Sequence, residues 1–314
     1  MNNLDGKLIT VLGGSGFLGR YVCQALLNAG ARLRVTGQSA ASGMHIKPLG
    51  NLGQVQLMAA DVRKPASVAR AVEGADMVVN LVGSFADMEA IQHIGARNVA
   101  EAAKKAKCAA LVHISAIGSD ADSTARYGRS KAAGEAAVKK AFADAIIFRP
   151  SIIFGREDEF INRFAGLIRM LPVVPIIGSD TKFQPVFVGD VARAVAAALN
   201  NPAPYAGQVL DLGGPEIFTM RGLNEWIAKA IGRSPLFIDV PDFAAQAMAV
   251  GTGWLPGAPI TADQFKMLAY DNVVDEKRDG LAVMGIAPTS LDTAAHDWLD
   301  IYRKHGRFGG QAAA

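Results

Sequence analysis

A glycine-rich turn near the start of the chain constrains its fold more than any other feature. The turn follows the apolar run 8–12, precedes a segment of helical spacing at 21–29, and reads Gly13-Gly14-Ser15-Gly16-Phe17-Leu18-Gly19. Its first, fourth and seventh residues are glycines, which allow a tight turn, close approach of the backbone to a pyrophosphate, and close packing of helix on sheet. The N-terminus of the following helix offers N–H groups to an anion. The pattern therefore predicts a dinucleotide site at Gly13, Ser15, Gly16, Phe17, Leu18 and Gly19. A plain tight turn is the alternative.

Short apolar runs alternate with segments of helical periodicity through the first two hundred residues. Strands that are apolar on both faces and joined by helices form a parallel sheet covered on both sides. We therefore predict an α/β fold, a doubly wound parallel sheet of the Rossmann type with a smaller, mostly helical C-terminal domain. The predicted strands are 8–12, 33–36, 55–58, 77–82, 111–115, 146–150 and 209–212, and the predicted helices are 21–29, 68–72, 96–106, 130–142, 162–170 and 190–199.

The pattern loosens after Pro150, and beyond residue 213 it predicts short helices broken by proline and glycine. We expect a dinucleotide-binding domain over 1–155, completed by about 185–213. The smaller domain then takes 156–184 and 214–314.

Composition excludes several classes of protein. With 32 Lys and Arg against 29 Asp and Glu, the net charge of +3 is too small to indicate nucleic-acid binding. Two cysteines cannot build a disulfide framework, which favours a reducing compartment. No apolar run reaches about 18 residues, so no spanning helix is predicted. The first strand starts so early that we expect no leader and a bacterial cytoplasmic location. The five histidines are scattered, and no metal site is predicted.

The spacing G-x-x-G-x-x-G resembles that of the short-chain dehydrogenase/reductase superfamily. Two further motifs stand in that superfamily's order, Asp61-Val62 after the third predicted strand and Asn80-Leu81-Val82-Gly83 after the fourth. The resemblance implies that Asp61 and Val62 hold the adenine and that Leu81, Val82 and Gly83 line the cofactor. Each motif alone is also typical of a strand end with a polar cap.

Tyr127 and Lys131 form a Y-x-x-x-K string after the fifth predicted strand. Residues four apart share one face of a helix, and a nearby ammonium lowers the pKa of a phenol, which can then exchange a proton while a hydride moves. In the superfamily this pair is catalytic, and the lysine also holds the nicotinamide ribose. The resemblance adds Ser115 as the residue that orients a substrate oxygen. A surface helix carrying an unrelated tyrosine and lysine is the alternative.

An R-P-x-x-x-x-G string begins at Arg149. In extended members of the superfamily a similar string lies against the nicotinamide, which implies cofactor contacts for Pro150, Ile152 and Ile153. Pro150 alone is equally typical of a strand that simply stops.

The residues after the second predicted strand bear on the choice between NAD and NADP. An acidic residue there would hold the ribose 2′-hydroxyl of NAD, but 37–53 contains no Asp or Glu. This permits a 2′-phosphate, for which Gln38 and Lys47 are the candidate contacts. NADP(H) is therefore the preferred cofactor. Because the arginine that usually clamps the phosphate is also missing, NAD(H) stays as the alternative.

Several segments outside these motifs resemble a narrower family, the NADPH-binding accessory subunit of respiratory complex I and its bacterial relatives. They are 149–158, 160–164, 184–190, 261–274 and 285–289, and the resemblance runs from about residue 7 to 307. It implies a tightly bound, structural NADP(H), an accessory or assembly role, and subunits of that membrane complex as partners.

A second function stays open, a soluble NAD(P)-dependent oxidoreductase or epimerase/dehydratase with Tyr127 as acid/base and an unknown, apolar substrate. The apolar segment 242–259, with Trp254 and Leu255, indicates either a helix that docks on a partner or membrane, or a lid over the substrate. The basic residues at 303–307 favour an anionic lipid surface, and hence a peripheral place on the inner face of the bacterial membrane.

Overall fold

The computed structural model describes residues 3–252, 260–304 and 306. The chain divides into two compact units. The first comprises Met1–Pro150, Val188–Leu212 and Asp275–Ala287, and the second comprises Ser151–Phe187, Gly213–Val274 and Pro288–Ala314. Trp254 and Leu255 of the predicted apolar segment lie outside the described residues, as do His305 and Arg307 of the basic tail.

Strands and helices are numbered here in chain order. The strands are β1 Leu8–Leu12, β2 Arg32–Gly37, β3 Val55–Ala59, β4 Met77–Asn80, β5 Ala110–Ile114, β6 Ile146–Pro150, β7 Ile153–Phe154, β8 Val173–Ile176, β9 Lys182–Phe183, β10 Val186–Phe187, β11 Val209–Leu212, β12 Phe218–Thr219 and β13 Leu236–Asp239. The α-helices are α1 Phe17–Asn28, α2 Pro65–Val72, α3 Ala96–Lys105, α4 Arg126–Ala141, α5 Ile161–Met170, α6 Val188–Asn200, α7 Met220–Ala230, α8 Asp242–Thr252, α9 Ala262–Met267, α10 Gly280–Val283 and α11 Leu291–Leu299. A 3-10 helix spans Ala41–Leu49, and a π-helix spans Glu89–Gly95.

The first unit is built on a seven-stranded sheet in the order β11-β6-β5-β4-β1-β2-β3, with every neighbouring pair parallel. All seven predicted strands are present, and the predicted doubly wound α/β fold is confirmed. The chain runs outward from β1 to β3 and then returns to β4 on the other side of β1. In such sheets a ligand binds at the carboxyl ends of the strands where the order reverses, here at the ends of β1 and β4.

Apolar side chains cover the sheet of the first unit. Side chains of α2, α3 and α4 pack on one face in a buried cluster with the strands, and among its members are Val68, Val99, Val138, Leu111 and Ile147. Both faces of the central strands are buried; β5, for example, has no exposed residue. Because hydrophobic burial on both faces fixes these strands, the loops at their carboxyl ends rest on a rigid support.

The second unit has its own core, formed mainly by α5, α7 and α11. Short strand pairs complete it: β7 with β10, β9 with β12, and β8 with β13. α8 carries Phe243, which is 77% exposed, in the first half of the predicted apolar segment. Among the described helices, none is long and apolar enough to cross a membrane.

Candidate functional site

The glycine-rich turn packs directly against the end of β4. Gly13 has a φ of +78°, and a Cβ there would lie 3.2 Å from the backbone nitrogen of Val82. A Cβ on Gly19 would lie 2.5 Å from the carbonyl oxygen of Gly14. Both positions therefore require glycine, and the turn forms a cradle that side chains would fill.

The N-terminus of α1 opens at this turn. Gly16 is its N-cap residue, no side chain caps it, and its first turn contains no acidic residue. The first N–H groups of a helix have no partner within the helix, and the helix dipole favours an anion beside them. The turn and α1 can therefore hold a pyrophosphate through backbone amides of Phe17 and Leu18.

Two serine hydroxyls meet beside the end of β2. The Ser42 Oγ lies 3.4 Å from the Ser15 Oγ and donates to the Ser39 carbonyl oxygen at 2.6 Å. A Cβ on Gly37, the last residue of β2, would overlap both hydroxyls. The sequence does not single out Ser39 and Ser42, because the contact of Ser42 with Ser15 spans 27 positions and leaves no local pattern.

The two residues proposed from sequence to contact a 2′-phosphate are placed differently. Gln38 is exposed and directly follows Gly37. Lys47 lies in the 3-10 helix and lines an open depression with the first residues of β3, Val55 and Gln56. Gly37 instead pairs with the last residue of that strand. Gln38 thus follows the residue that stands beside the Ser15 hydroxyl, Lys47 lies along the depression, and both stay predicted contacts of a 2′-phosphate.

Asp61 forms an ion pair with its near neighbour at the end of β3. The Arg63 Nε and Nη2 donate to the two carboxylate oxygens of Asp61 at 2.9 Å and 3.0 Å. The hydrogen bond from Arg63 lowers the pKa of the Asp61 carboxyl. Val62 is buried, and its carbonyl oxygen accepts from the Asn98 Nδ2 at 2.9 Å. Arg63 has no motif of its own, and sequence reasoning did not single it out.

A buried polar pair lies at the ends of β4 and β5. The Asn80 side-chain amide lies 3.1 Å from the His113 Nδ1, and the Val82 N–H donates to the Asn80 Oδ1 at 3.2 Å. Burial, with a smaller contribution from Lys131, lowers the pKa of His113 to about 3, so its ring is neutral and Nδ1 accepts from the amide. The other ring nitrogen, Nε2, has no hydrogen-bond partner among the described residues. The pair fixes the backbone that presents Leu81, Val82 and Gly83.

Tyr127 and Lys131 lie on α4, which begins four residues before the predicted helix. The Lys131 Nζ lies 5.9 Å from the centre of the Tyr127 ring and donates to the Ile114 carbonyl oxygen at 3.3 Å. Burial lowers the pKa of Lys131 to about 8 and raises that of Tyr127 to about 12. A Cβ on Gly83 would lie 3.4 Å from the Lys131 Nζ, so the ends of β4 and β5 converge on this ammonium.

Ser115 follows β5 and is buried, with its Oγ 2.8 Å from the Ser119 Oγ. Pro150 ends β6, and its carbonyl oxygen accepts from the Ile117 N–H at 3.1 Å. Ile152 and Ile153 belong to the second unit, where Val186 pairs with Ile153 in a short strand.

One turn beyond Lys131, a buried ion pair ties α4 to the sheet. The Arg149 Nε and Nη2 donate to the two Glu135 carboxylate oxygens at 2.8 Å and 2.6 Å. The two side chains are only 17% and 7% exposed. The hydrogen bonds that Arg149 donates to Glu135 raise the pKa of Arg149 above its usual value. Tyr127, Lys131 and Glu135 thus follow one another at four-residue intervals along one helix face.

Within the residues that the structure describes, no group of three or more His, Cys, Asp or Glu side chains could hold a metal ion. The polar groups of the first unit instead suit an extended anionic ligand. They offer backbone amides at one end and an ammonium beside a phenol at the other.

Comparison with known proteins agrees with this geometry. Residues 9–213 match the model of the NAD dependent epimerase/dehydratase family. The subunit named NADH dehydrogenase (ubiquinone) 1 alpha subcomplex subunit 9, mitochondrial, is 33% identical in Arabidopsis thaliana, over 97% of this chain and 80% of the relative. The Rattus norvegicus subunit of the same name is 32% identical, over 97% and 82%.

The solved structures add the fold. A triphenylmethane reductase from Citrobacter sp., complexed with NADP(H), superimposes with a TM-score of 0.73 at 16% identity, covering 92% of this chain and 99% of the reductase. An identity this low supports a shared fold only.

Proposed function

Because this chain belongs to the NAD dependent epimerase/dehydratase family, and so binds a nicotinamide dinucleotide, we propose that NADP(H) is its preferred cofactor. The support lies at the end of β2, where the Ser15 and Ser42 hydroxyls stand over Gly37 and 37–53 holds no acidic residue. Hydroxyl groups can donate to a 2′-phosphate, whereas a carboxylate there would repel it.

The substitution Ser42→Asp tests this preference. A carboxylate beside Ser15 should weaken NADPH binding at least tenfold and leave NADH binding within about twofold, since two like charges a few ångströms apart repel. Ser42→Asn is the matched neutral control. Tighter binding of NADH than of NADPH by the unsubstituted chain, in titrations of the apo-protein, would contradict the proposal.

We further propose that the bound dinucleotide is retained and has a structural part in an accessory or assembly protein of a membrane respiratory complex. This proposal rests on the similarity of 97% of the chain to the mitochondrial NADH dehydrogenase (ubiquinone) subunits of Arabidopsis thaliana and Rattus norvegicus. The site supports it, because the Phe85 ring covers a face of the Tyr127 ring. The chain would then lie at the membrane surface through its partner subunits.

In this proposal the residues of the first unit have distinct parts. The turn and the N-terminus of α1 hold the pyrophosphate, Asp61 and Val62 face the adenine, and Lys131 holds the nicotinamide ribose. A bound nicotinamide supplies hydride-transfer chemistry.

A second candidate, an oxidoreductase or epimerase, is favoured by the presence of Ser115, Tyr127 and Lys131 in one unit. There a protonated Tyr127 would act as the acid for a substrate oxygen.

Native mass spectrometry of the purified chain, an assay of NADPH oxidation and membrane fractionation together distinguish the two candidate functions. The accessory role predicts one retained NADP(H) per chain, slow NADPH oxidation that Tyr127→Phe leaves unchanged, and co-fractionation with membranes. A chain that arrives without nucleotide and oxidises NADPH rapidly, with Tyr127→Phe abolishing the reaction, would favour the enzyme.

A further inference from the structure

An exposed aromatic ring stands beside Tyr127 and has no part in the proposed cofactor contacts. Phe85 is 54% exposed, and its ring stacks on that of Tyr127 with centroids 4.8 Å apart and an interplanar angle of 23°. One face of the Phe85 ring is thus covered by the Tyr127 phenol, while about half of the Phe85 side chain is exposed to water. A single exposed apolar side chain is ordinary on a protein surface, but this one is stacked on a residue of the candidate site.

The loop that carries Phe85 is held at several points. The Gln92 Nε2 donates to the Ser84 carbonyl oxygen at 2.5 Å, and the Ala86 N–H donates to the Ser84 Oγ at 3.0 Å. Further along, Asp87 has a φ of +50° and its carboxylate lies 3.5 Å from the Arg63 Nη1. A non-glycine residue in that conformation costs free energy and persists only where its surroundings hold it.

These anchors hold the loop in a conformation that leaves the apolar Phe85 ring partly in water. The unfavourable exposure is removed if a ligand covers the outer surface of Phe85. The single ionisable side chain of 84–88, Asp87, is already paired with Arg63, so the loop offers no free charge to a charged ligand. Aromatic faces stack most favourably with other flat π systems.

We propose that Phe85, stacked on Tyr127, is a platform that binds the flat, conjugated, uncharged ring of a second ligand next to the dinucleotide. The proposal rests on the proposed function, because Tyr127 and Lys131 mark the nicotinamide end of that site. It adds the chemical class of the ligand that would occupy the remaining space beside the phenol.

The test compares two probes that differ in flatness, 2-acetonaphthone and its saturated counterpart 2-acetyldecalin. Binding is measured with the chain loaded with NADP⁺, so that no hydride is available. Phe85→Leu keeps an apolar side chain but removes the π face, and Phe85→Tyr keeps the face. We expect Phe85→Leu to weaken binding of 2-acetonaphthone roughly 3- to 10-fold. We expect Phe85→Tyr to stay within about twofold, and 2-acetyldecalin to bind all three chains alike.

Two results would overturn the platform. One is no binding of 2-acetonaphthone to the NADP⁺-loaded chain, and the other is an equal effect of Phe85→Leu on both probes. The NADP⁺ affinity of each variant is measured in the same series and should not change. Failure of the unsubstituted chain to bind NADP⁺ would contradict the proposed function itself, which separates the two conclusions.

Discussion

At the scale of single residues, Lys131 is a charged side chain whose burial costs stability. It is 5% exposed, and burial lowers its pKa from an ordinary 10.5 to about 8. A buried ammonium is expensive even when Glu135 and a backbone carbonyl offset part of the cost. The proposed contact of the ammonium with the cofactor ribose would account for such a residue here.

Lys131→Met should therefore stabilise the cofactor-free chain at pH 7, by on the order of 1–3 kcal/mol. Below about pH 8 the folded chain carries the whole cost of the buried charge. Between pH 8 and 10.5 the folded chain has released a proton that the unfolded chain still binds, so the unsubstituted protein gains stability with rising pH. The advantage of Lys131→Met in urea unfolding should shrink across that window. Lys139→Met, on an exposed position of α4, is the control. A difference that is constant from pH 7 to 10.5 would refute the assignment.

Substitutions of two glycines in the turn should distinguish an effect on folding stability from an effect on NADPH binding. Gly19→Ala places a Cβ 2.5 Å from a backbone oxygen and should cost about 1–3 kcal/mol of folding free energy. Gly16→Ala meets its nearest neighbour at 3.4 Å, so its unfolding midpoint should barely move. Its Cβ would nevertheless stand where the backbone approaches the pyrophosphate, and NADPH affinity should fall at least tenfold. Denaturant unfolding measures the folding stability of each variant, and calorimetric titration measures its NADPH affinity. An unchanged NADPH affinity in Gly16→Ala would contradict the placement of the pyrophosphate.

Site residues that belong to a local sequence motif could be recognised from the sequence. Site residues whose part depends on a tertiary contact could not. Gly13, Gly16 and Gly19 lie within seven consecutive residues, so their spacing is visible in the sequence. Ser42 reaches Ser15 across 27 positions, and Phe85 reaches Tyr127 across 42, so neither contact has a local pattern. The roles assigned to the site residues from their motifs stay predictions for the measurements above to test.

At the scale of elements, α4 carries Tyr127 and Lys131, and the Glu135–Arg149 ion pair fixes it to β6. Removing one partner of a buried ion pair leaves the other unpaired at a cost of about 3–5 kcal/mol, whereas replacing both by apolar side chains is often nearly neutral. Glu135→Leu should therefore destabilise the chain strongly, and adding Arg149→Met should restore most of the loss. Urea unfolding of the double-mutant cycle measures the coupling. Glu101→Ala breaks the exposed pair with Arg97 on α3 and should change little. Additive effects in the Glu135–Arg149 cycle would show that the pair does not hold α4.

Elements that are buried on both faces were predictable, because their apolar runs are continuous. The central strands β4 and β5 follow such runs, and all seven predicted strands of the large sheet have ends within two residues of those observed. The start of α4 was missed, since Arg126, Gly128 and Arg129 interrupt the apolar periodicity there. The two-residue strands of the second unit are too short for any period to show, and only tertiary pairing defines them.

At the scale of the whole molecule, the first unit is built from three separate segments of the chain. No local sequence pattern assigns the last of them, Asp275–Ala287, to this unit. It is placed by contacts such as that of Gly280, where a Cβ would lie 2.8 Å from the Leu210 side chain and 2.9 Å from the Leu212 side chain. An ion pair between Arg278 and the buried Asp211 supports the same placement.

Hydrogen exchange with and without NADPH tests the cofactor residues of the first unit. Ligand at one hundred times its dissociation constant stabilises the binding-competent state by about 2.7 kcal/mol, which slows exchange through openings that release the ligand roughly a hundredfold. We expect that protection in the amides of β1, β4 and the first turn of α1, with NADH giving less at equal concentration. We do not expect it in α7, which is the internal control. Equal protection of α7 and β4 would mean that the dinucleotide stabilises the chain without a local site.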